Sequence, residues 1–367
     1  MKVLFNDLKS VNGTLAHELD VAIQRVMRSG KFILGPEVES FEAEFAAWCG
    51  VEHCIGVASG TEALQLAMLA CGIGPGDEVI TASFTAMPTV LAIVAAGATP
   101  VFADIDPQTC TLDPDRLQQA LSQKTRAILP VHLYGHCAEM DPILEFASRH
   151  SLYVIEDAAQ AHGSSCRSRK AGTIGNLGCF SFYPTKNLGA CGDAGAVVTS
   201  DAELAARLQR LRNYGESRRY CSDSMGYNSR LDELQAAILR TKLPHLDRWN
   251  ESRRNLAARY ISRLEQRFCP PHAKPGFVHN YHLFVIQNEQ RDELQQHLRA
   301  HNIQTLIHYP TPCHLQPAMR HIEHRRCELS VTERIAQQVL SLPMFSTLAV
   351  EQVDYVARSL NAFGVAA

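Results

Sequence analysis

Short apolar runs alternate with stretches of helical periodicity over the first two-thirds of the chain. Strands are predicted for DEVITASF (77–84), TPVFADID (99–106), RAILPVHLYG (126–135) and LYVIEDAA (152–159). Helices are predicted between them, for TEALQLAMLAC (61–71), RLQQALSQ (116–123) and MDPILEFASRH (140–150). Strands that alternate with helices in this way predict an α/β layer with a mostly parallel sheet. Because these strands are apolar throughout, they are predicted to be buried on both faces.

The last third of the chain has a different pattern. Leucines at helical spacing over 231–267 predict one long helix or two in succession, and CPPHAKPG (269–276) is predicted to be a linker. The remaining segments predict a strand at 281–288 and helices at 291–303, 330–343 and 349–363. We therefore predict a large domain with a central sheet over 1–245 and a smaller C-terminal α+β domain over 246–367.

The charge balance narrows the range of partners. The 367 residues include 35 Lys and Arg against 38 Asp and Glu, a net charge of −3, so neither nucleic acid nor a membrane is expected as a partner. No signal-peptide pattern and no long apolar run is visible, so a cytoplasmic protein is expected. Twelve scattered cysteines without a Cys-x-x-Cys pair predict reduced thiols, and no metal site is expected.

One candidate ligand site lies in VASGTEALQLAM. Gly60 ends a turn after a predicted strand, and Thr61 opens a predicted helix. The N-terminus of a helix presents unpaired N–H groups and the positive end of the helix dipole, which suit a phosphate. Taken alone, Ser-Gly-Thr before a helix is more often only a helix cap.

A second feature is the pair of carboxylates in VIEDAAQAHG. Glu156 and Asp157 come at the end of an apolar strand, and this edge of an open α/β sheet is where ligands bind. A buried carboxylate there requires a cation or a hydrogen-bond donor. An N-cap for the segment that follows is the competing interpretation.

The third feature is Lys186, in the stretch GCFSFYPTKNLGACGDAGAVV (178–198) with Ser181 five residues before it. A lysine beside an apolar wall can have a lowered pKa and act as a nucleophile, whereas an average lysine lies at the surface. Together the three features are the parts needed to hold pyridoxal phosphate. The lysine would form the Schiff base, an acid would pair with the pyridinium nitrogen, and helix N–H groups and a serine would hold the phosphate.

The sequence resembles the DegT/DnrJ/EryC1/StrS sugar aminotransferases, a family of fold-type-I pyridoxal-phosphate enzymes. The resemblance covers nearly the whole chain and rests on an ordered set of motifs: SGTEAL, GIGPGDEVI, GATPVFADID, PVHLYGH, EDAAQAHG, SFYPTKNLG and YNSRLDELQAA. It implies an α/β fold whose large domain has a mostly parallel mixed sheet between helices, with a smaller C-terminal α+β domain.

The resemblance also implies roles for the residues that match these motifs. Lys186 would form the internal aldimine, Asp157 would pair with the pyridinium nitrogen, and Gln160 would lie near the cofactor's O3′.

The phosphate and the subunit interface are assigned in the same way. Gly60, Thr61 and Ser181 would bind the phosphate. Asn228, in YNSRLDE, matches an asparagine that the family supplies from a neighbouring subunit, so the resemblance implies a homodimer with shared active sites.

Three stretches are most similar to the branch of the family that aminates C3 of the sugar: SFYPTKNLGACGDAGAVV, GYNSRLDELQAAILRTKL and IQTLIHYPTPCHLQPA. This branch implies a ping-pong transfer of an amino group from L-glutamate to C3 of a dTDP-3-keto-6-deoxyhexose. The product would be dTDP-3-amino-3,6-dideoxy-glucose or -galactose. Such steps serve lipopolysaccharide O-antigen, S-layer glycan and antibiotic sugars alike, so the pathway stays open.

In this branch Tyr183, His308 and Tyr309 are expected near the hexose, because phenol and imidazole groups can hydrogen-bond its hydroxyls. His314, in PCHLQ, is a further candidate for a contact with the diphosphate or the sugar. The competing interpretation of each is a packed aromatic residue or a solvated histidine.

The chain departs from the family pattern at Ala86, in TASFTAMPTV. Many members have an aromatic residue there, which stacks on the cofactor ring. The stack is therefore lost or supplied by another residue, and neither Ala86 nor Phe84 is assigned to the site.

Three other functions stay open at this point. The first is amination at C4 of a nucleotide-linked 4-keto-6-deoxyhexose. The second is dehydration, for which a related group of enzymes has histidine in place of the lysine, so that Lys186 argues against it. The third is a non-catalytic regulator with an aminotransferase fold.

Overall fold

The computed structural model describes residues 1–270 and 273–364. Residues 271–272 of the predicted linker, and 365–367 at the end of the predicted C-terminal domain, lie outside the described residues. The described residues form thirteen α-helices: α1 (Leu8–Gly13), α2 (Ala16–Ser29), α3 (Pro36–Cys49), α4 (Gly60–Ala70), α5 (Met87–Ala95), α6 (Leu117–Ala120), α7 (Met140–Arg149), α8 (Ala202–Leu211), α9 (Glu233–Lys242), α10 (Leu246–Arg263), α11 (Arg291–Ala300), α12 (Ser330–Gln338) and α13 (Val350–Asn361).

The same residues form fifteen strands: β1 (His53–Val57), β2 (Glu78–Ala82), β3 (Thr99–Ala103), β4 (Thr125–Leu129), β5 (Tyr153–Asp157), β6 (Ser165–Cys166), β7 (Arg169–Lys170), β8 (Leu177–Ser181), β9 (Gly195–Thr199), β10 (Glu216–Arg218), β11 (Cys221–Ser222), β12 (Phe277–Val278), β13 (Phe284–Gln287), β14 (Arg325–Arg326) and β15 (Val339–Leu342). Short 3₁₀ turns connect several of these elements.

Eight strands form the central sheet, in the order β1-β9-β8-β5-β4-β2-β3-β14. Strand β9 is antiparallel to both of its neighbours, and the other neighbouring pairs are parallel. Helices flank this sheet, and apolar residues such as Ile80, Ile128 and Ile155 fill the core beside them. The predicted α/β fold with a mostly parallel mixed sheet is confirmed.

The predicted helical region 231–267 is divided in two. Helix α9 ends at Lys242, a 3₁₀ turn covers Leu243–His245, and α10 begins at Leu246. Pro244 lies in that turn, and proline interrupts a helix because it has no N–H group to donate. The predicted domain boundary falls at the same turn, and the division into domains stays a prediction.

The predicted helix 330–343 is wrong at its C-terminal end. Helix α12 stops at Gln338, and the next four residues form β15, which pairs antiparallel with β13. All four positions of β15 are buried. A short, fully buried apolar run fits a strand as well as the end of a helix, so its periodicity could not separate the two.

The sheet brings three separate segments of chain to one edge. Strands β1, β5 and β8 run in the same direction, because the single reversed strand, β9, lies between β1 and β8. Their carboxyl ends therefore meet at one edge, which is the ligand-binding edge of open α/β sheets. The sheet edge holds Asp157 at the end of β5, Ser181 at the end of β8, and the start of α4 just after β1.

Two further expectations concern the chain as a whole. All twelve cysteines are free thiols, in agreement with the predicted reduced state. Among the described residues, no helix is both long and apolar enough to cross a membrane.

Candidate active site

A pocket opens at the sheet edge where these segments meet. Seven of the residues singled out in the sequence line it: Gly60, Thr61, Asp157, Gln160, Ser181, Tyr183 and Lys186. They come from three regions of the chain far apart in sequence, and the sheet topology is what brings them together.

The start of α4 forms one wall of the pocket. Ser59 is the N-cap, and its Oγ accepts a hydrogen bond from the Glu62 N–H at 3.2 Å. The N–H groups of Gly60 and Thr61 open the helix, where intrahelical acceptors do not exist. A Cβ on Gly60 would lie only 2.5 Å from the Cβ of Ser181. Glycine therefore lets the helix start against β8, which forms a cradle for a phosphate from N–H groups and a hydroxyl.

Asp157 supplies the buried negative charge of the site, with an exposed fraction of 5%. Its Oδ2 accepts a hydrogen bond from Thr89 Oγ1 at 2.8 Å, and its Oδ1 accepts one from the Ala159 N–H at 3.2 Å. Burial raises the pKa of this carboxyl group, although the two hydrogen bonds and the Lys186 charge oppose that shift. A cation against Asp157 would stabilise the ionised form, as a protonated pyridine nitrogen does.

Glu156, the other carboxylate of the pair, does not line this pocket. Its side chain accepts hydrogen bonds from the N–H groups of Gly172, Ile174 and Gly175 at 2.6–2.8 Å. It also bonds His132 Nε2 at 2.7 Å. Successive residues of a strand face opposite sides, so Glu156 fixes the loop before β8 while Asp157 faces the site.

Lys186 follows β8 in a tight turn. Its backbone N–H donates to the carbonyl oxygen of Tyr183 at 2.8 Å. The next residue, Asn187, anchors the turn by donating from Nδ2 to Asn250 Oδ1 at 2.8 Å. Burial lowers the pKa of the Lys186 amine from 10.5 to about 8, against the opposing effect of Asp157. The amine is therefore far more nucleophilic near neutral pH than that of an exposed lysine.

Gln160 links the pocket to the C-terminal part of the chain. Its Oε1 accepts from the Tyr134 N–H at 2.6 Å, and its Nε2 donates to the Tyr309 hydroxyl at 3.1 Å. Burial raises the pKa of the Tyr309 hydroxyl to about 12. Tyr309 therefore stays a neutral phenol beside the pocket, able to donate its own hydrogen.

His308 lies next to Tyr309 and is held from two sides. Its Nδ1 is 2.9 Å from Ser341 Oγ, and its carbonyl oxygen accepts from the Tyr134 hydroxyl. Burial and the nearby Lys186 charge lower the pKa of the imidazole to about 4. The ring is therefore neutral at pH 7.

Four predicted residues are not part of the pocket lining: His308 and Tyr309, described above, and Asn228 and His314. Asn228 is exposed, and its backbone forms a bridge with Asn213. The ring of His314 is fully buried, with Nδ1 bonded to Ser83 Oγ at 2.6 Å and Nε2 bonded to Glu333 at 3.1 Å. Both ring nitrogens are thus engaged within the protein, so the predicted contact of His314 with the diphosphate or sugar gains no support from this geometry.

Sequence reasoning missed some of the lining. Thr89, which bonds Asp157, and Val131 are part of the wall, and Ala86 lines the pocket with a methyl group. No motif marked Thr89. The only signal available was a hydroxyl in the first turn of the helix that follows a strand end.

A lysine amine of lowered pKa, a buried acid and a helix-terminal phosphate cradle in one pocket fit pyridoxal phosphate, so the fold and the site define a pyridoxal-phosphate-dependent enzyme. Comparison with known proteins narrows the class to aminotransferases. The chain belongs to the DegT/DnrJ/EryC1/StrS aminotransferase family, whose profile matches residues 14–361.

Individual relatives are similar over almost their full length. The chain is 51% identical to dTDP-3-amino-3,4,6-trideoxy-alpha-D-glucose transaminase of Streptomyces venezuelae, over 94% of this chain and 91% of the relative. It is 45% identical to dTDP-3-amino-3,6-dideoxy-alpha-D-galactopyranose transaminase of Aneurinibacillus thermoaerophilus, over 98% of this chain and 99% of the relative. The crystal structure of S. venezuelae DesV in complex with a ketimine intermediate superposes with a TM-score of 0.97. The two sequences are 49% identical, and the superposition covers 100% of this chain and 99% of the DesV chain.

Proposed function

We propose that this enzyme transfers the amino group of L-glutamate to C3 of a dTDP-3-keto-6-deoxyhexose, giving dTDP-3-amino-3,6-dideoxy-glucose or -galactose. The observation that carries the proposal is a pocket with Lys186 and Asp157 in a chain similar to two transaminases named for 3-amino dTDP-sugars. The A. thermoaerophilus relative is named for a 3-amino-3,6-dideoxy sugar, which is one of the two products proposed here.

The cofactor would be held by the chain's own residues. Gly60, Thr61 and Ser181 would bind its phosphate, Asp157 would pair with its ring nitrogen, and Gln160 would approach O3′. Pyridoxal phosphate supplies an electron sink when bound. Asp157 keeps that sink effective because a buried carboxylate stabilises the protonated ring nitrogen.

Lys186 would perform the proton transfers. Its amine, with a pKa of about 8, would take a proton from the α-carbon of the donor and return it to C4′ of the cofactor. A general base and acid works best when its pKa is close to the working pH. The same amine serves both half-reactions at one site, so ping-pong kinetics are expected.

Tyr183, His308 and Tyr309 would contact the hexose. The Tyr183 side chain is 52% exposed at the mouth of the pocket, whereas Tyr309 reaches it through Gln160. Neutral phenol and imidazole groups can donate to or accept from sugar hydroxyls. We further propose that the enzyme is a homodimer in which Asn228 serves the partner's site, since its exposed side chain lies away from the pocket of its own chain.

The function is tested by incubating the enzyme with L-glutamate and either a 3-keto or a 4-keto dTDP-6-deoxyhexose. The expected result is amination of the 3-keto compound, with the position of nitrogen in the product read by NMR. If only the 4-keto compound gives an aminated product, the proposal of C3 amination is wrong and the enzyme aminates C4. Parallel reactions with the UDP-linked sugar and with L-aspartate would test the nucleotide and the donor separately.

A further inference from the structure

Two buried cations lie outside the machinery described above. Among the described residues, Lys242, Arg253 and Arg291 are the cationic side chains with the lowest exposure, at 4%, 5% and 9%. Arg291 is paired with Asp292 at 2.5 Å. Lys242 and Arg253 have no carboxylate within ion-pair distance in the described part of the chain, and the acceptors assigned to them are carbonyl oxygens.

The hydrogen bonds of this pair use only part of its donor capacity. Lys242 Nζ donates to the Gly189 carbonyl at 2.7 Å, although an ammonium has three N–H groups. Arg253 donates through Nη1 alone, to the carbonyl oxygens of Tyr281, His282 and Met344 at 3.0–3.3 Å. Its Nε and Nη2 groups have no acceptor in the part of the chain that the structure describes. Those two nitrogens form the planar fork that binds carboxylates.

Both side chains line one cavity behind the turn that holds Lys186. Lys186 also lines this cavity, together with neutral polar groups from Asn6, Asn12, Thr185 and Ser346. None of the described residues that line it is an aspartate or a glutamate. The cavity therefore combines unused N–H donors with uncompensated positive charge.

Arg253 keeps its charge at neutral pH. Burial lowers the pKa of Arg253 only to about 10, so its guanidinium stays protonated at pH 7. Burial also lowers the pKa of the Lys242 amine, and the nearby Cys191 opposes that shift. A buried charge without a counter-charge is costly. An anion between the two side chains would remove that cost and satisfy the remaining N–H groups.

We propose that this cavity binds one small monovalent anion, a halide or a single carboxylate group, between Lys242 and Arg253. The free space of about 20 Å³ holds little more than a water-sized group, which excludes a nucleotide or a sugar phosphate. Lys242 also holds Gly189, at the end of the turn that begins at Pro184. The bound anion therefore stabilises the turn that carries Lys186.

The site is tested directly with crystals of the holoenzyme grown in sodium bromide. The expected result is an anomalous bromide peak within hydrogen-bond reach of Lys242 Nζ and of the Arg253 fork. Crystals grown in sodium formate show whether a carboxylate takes the same place. A cavity that holds only water in both crystals would overturn the proposal.

Solution stability supplies the second test. Chloride and formate are expected to raise the Tm of the holoenzyme by roughly 2 °C relative to gluconate at equal ionic strength, because gluconate is too large for the cavity. The shift should vanish in Lys242→Met and persist in Lys31→Met, which removes an exposed lysine. An equal shift in both variants would contradict the assignment. If Lys242→Met does not fold, the bromide map of the unmodified enzyme decides.

Discussion

Thr89 Oγ1 donates a hydrogen bond to Asp157 Oδ2 at 2.8 Å. The hydroxyl of Thr85 lies 3.0 Å from that of Thr89. Because the single hydrogen of Thr89 is used on Asp157, Thr85 acts as the donor to Thr89. Two hydroxyls in series thus fix the orientation of the carboxylate assigned to the pyridinium nitrogen.

Replacing Thr89 by valine tests this relationship. The variant keeps the shape of the side chain but removes the donor to a buried carboxylate, and such a hydrogen bond contributes about 1.5–3 kcal/mol. We expect the affinity for pyridoxal phosphate to fall by roughly 10-fold or more, measured by titrating the apoprotein with cofactor. Thr89→Ser keeps the hydroxyl and is the control. Wild-type affinity in Thr89→Val would show that the hydrogen bond does not orient Asp157.

The lowered pKa of Lys186 predicts how cofactor capture depends on pH. Only the neutral amine attacks the aldehyde of pyridoxal phosphate. The rate at which the apoprotein captures the cofactor should therefore rise with pH and level off above about pH 8. A lysine at its ordinary value of 10.5 would still be gaining rate at pH 10. The rate is followed by the long-wavelength absorbance of the lysine-bound cofactor, which Lys186→Ala cannot develop.

Asp157→Asn gives an independent check on the origin of that pKa. The Asp157 charge raises the pKa of Lys186, so its removal should move the midpoint of the capture profile below pH 8. A midpoint that moves upward instead would contradict the assigned electrostatics. The turnover of the Asp157→Asn variant is also expected to fall strongly, because an amide does not keep the ring nitrogen of the cofactor protonated.

Gly60→Ala tests the phosphate cradle. A Cβ at this position would lie 2.5 Å from the Ser181 Cβ, so the start of α4 must move away from β8 and carry its N–H groups with it. We expect cofactor affinity to fall by at least about 10-fold, the equivalent of losing one charge-assisted hydrogen bond. The matched control is Gly13→Ala, whose added methyl group meets no atom within 4 Å. Equal affinity in the two variants would remove Gly60 from the cradle.

The proposed homodimer with shared active sites makes a prediction about mixed subunits. Lys186→Ala and Asn228→Ala are each expected to be nearly inactive as purified proteins. In a mixed dimer one site would carry both substitutions and the other neither, so random exchange should restore about a quarter of the wild-type activity. Activity is measured after unfolding and refolding the two variants together. Recovery no greater than the sum of the separate samples would show that Asn228 serves its own subunit or none.

The sequence predicted those parts of the site that follow from strand ends. Asp157 lies at the end of a predicted strand, and Ser181 lies at the end of a short apolar one. Parallel strands bring their carboxyl ends to one edge of the sheet, whatever other contacts they make. Family motifs then supplied roles for Lys186 and Gln160. Thr89 could not be found in this way, because its importance arises from a tertiary contact over 68 positions, and threonine near a helix start is common.

Contacts between residues far apart in the sequence could not be predicted. The motif makes His314 a further candidate for a contact with the diphosphate or the sugar, whereas the structure uses both of its ring nitrogens for Ser83 and Glu333. The change from helix to strand after Gln338 depends on pairing with β13, a partner more than fifty positions away. Local periodicity contains neither kind of information.

The residues around the pocket are held in two different ways: Glu156 bonds to backbone groups, whereas the proposed sugar contacts depend on side chains. The Glu156 carboxylate joins the strand with Asp157 to the loop leading to β8 by accepting hydrogen bonds from three backbone N–H groups. His308 and Tyr309 are instead held by side chains: those of Ser341 and Tyr134 for His308, and that of Gln160 for Tyr309. Because His308 and Tyr309 are proposed to contact the hexose, a chimera that takes residues 305–316 from a relative with a different sugar is expected to change the sugar specificity while it keeps Lys186 and Asp157.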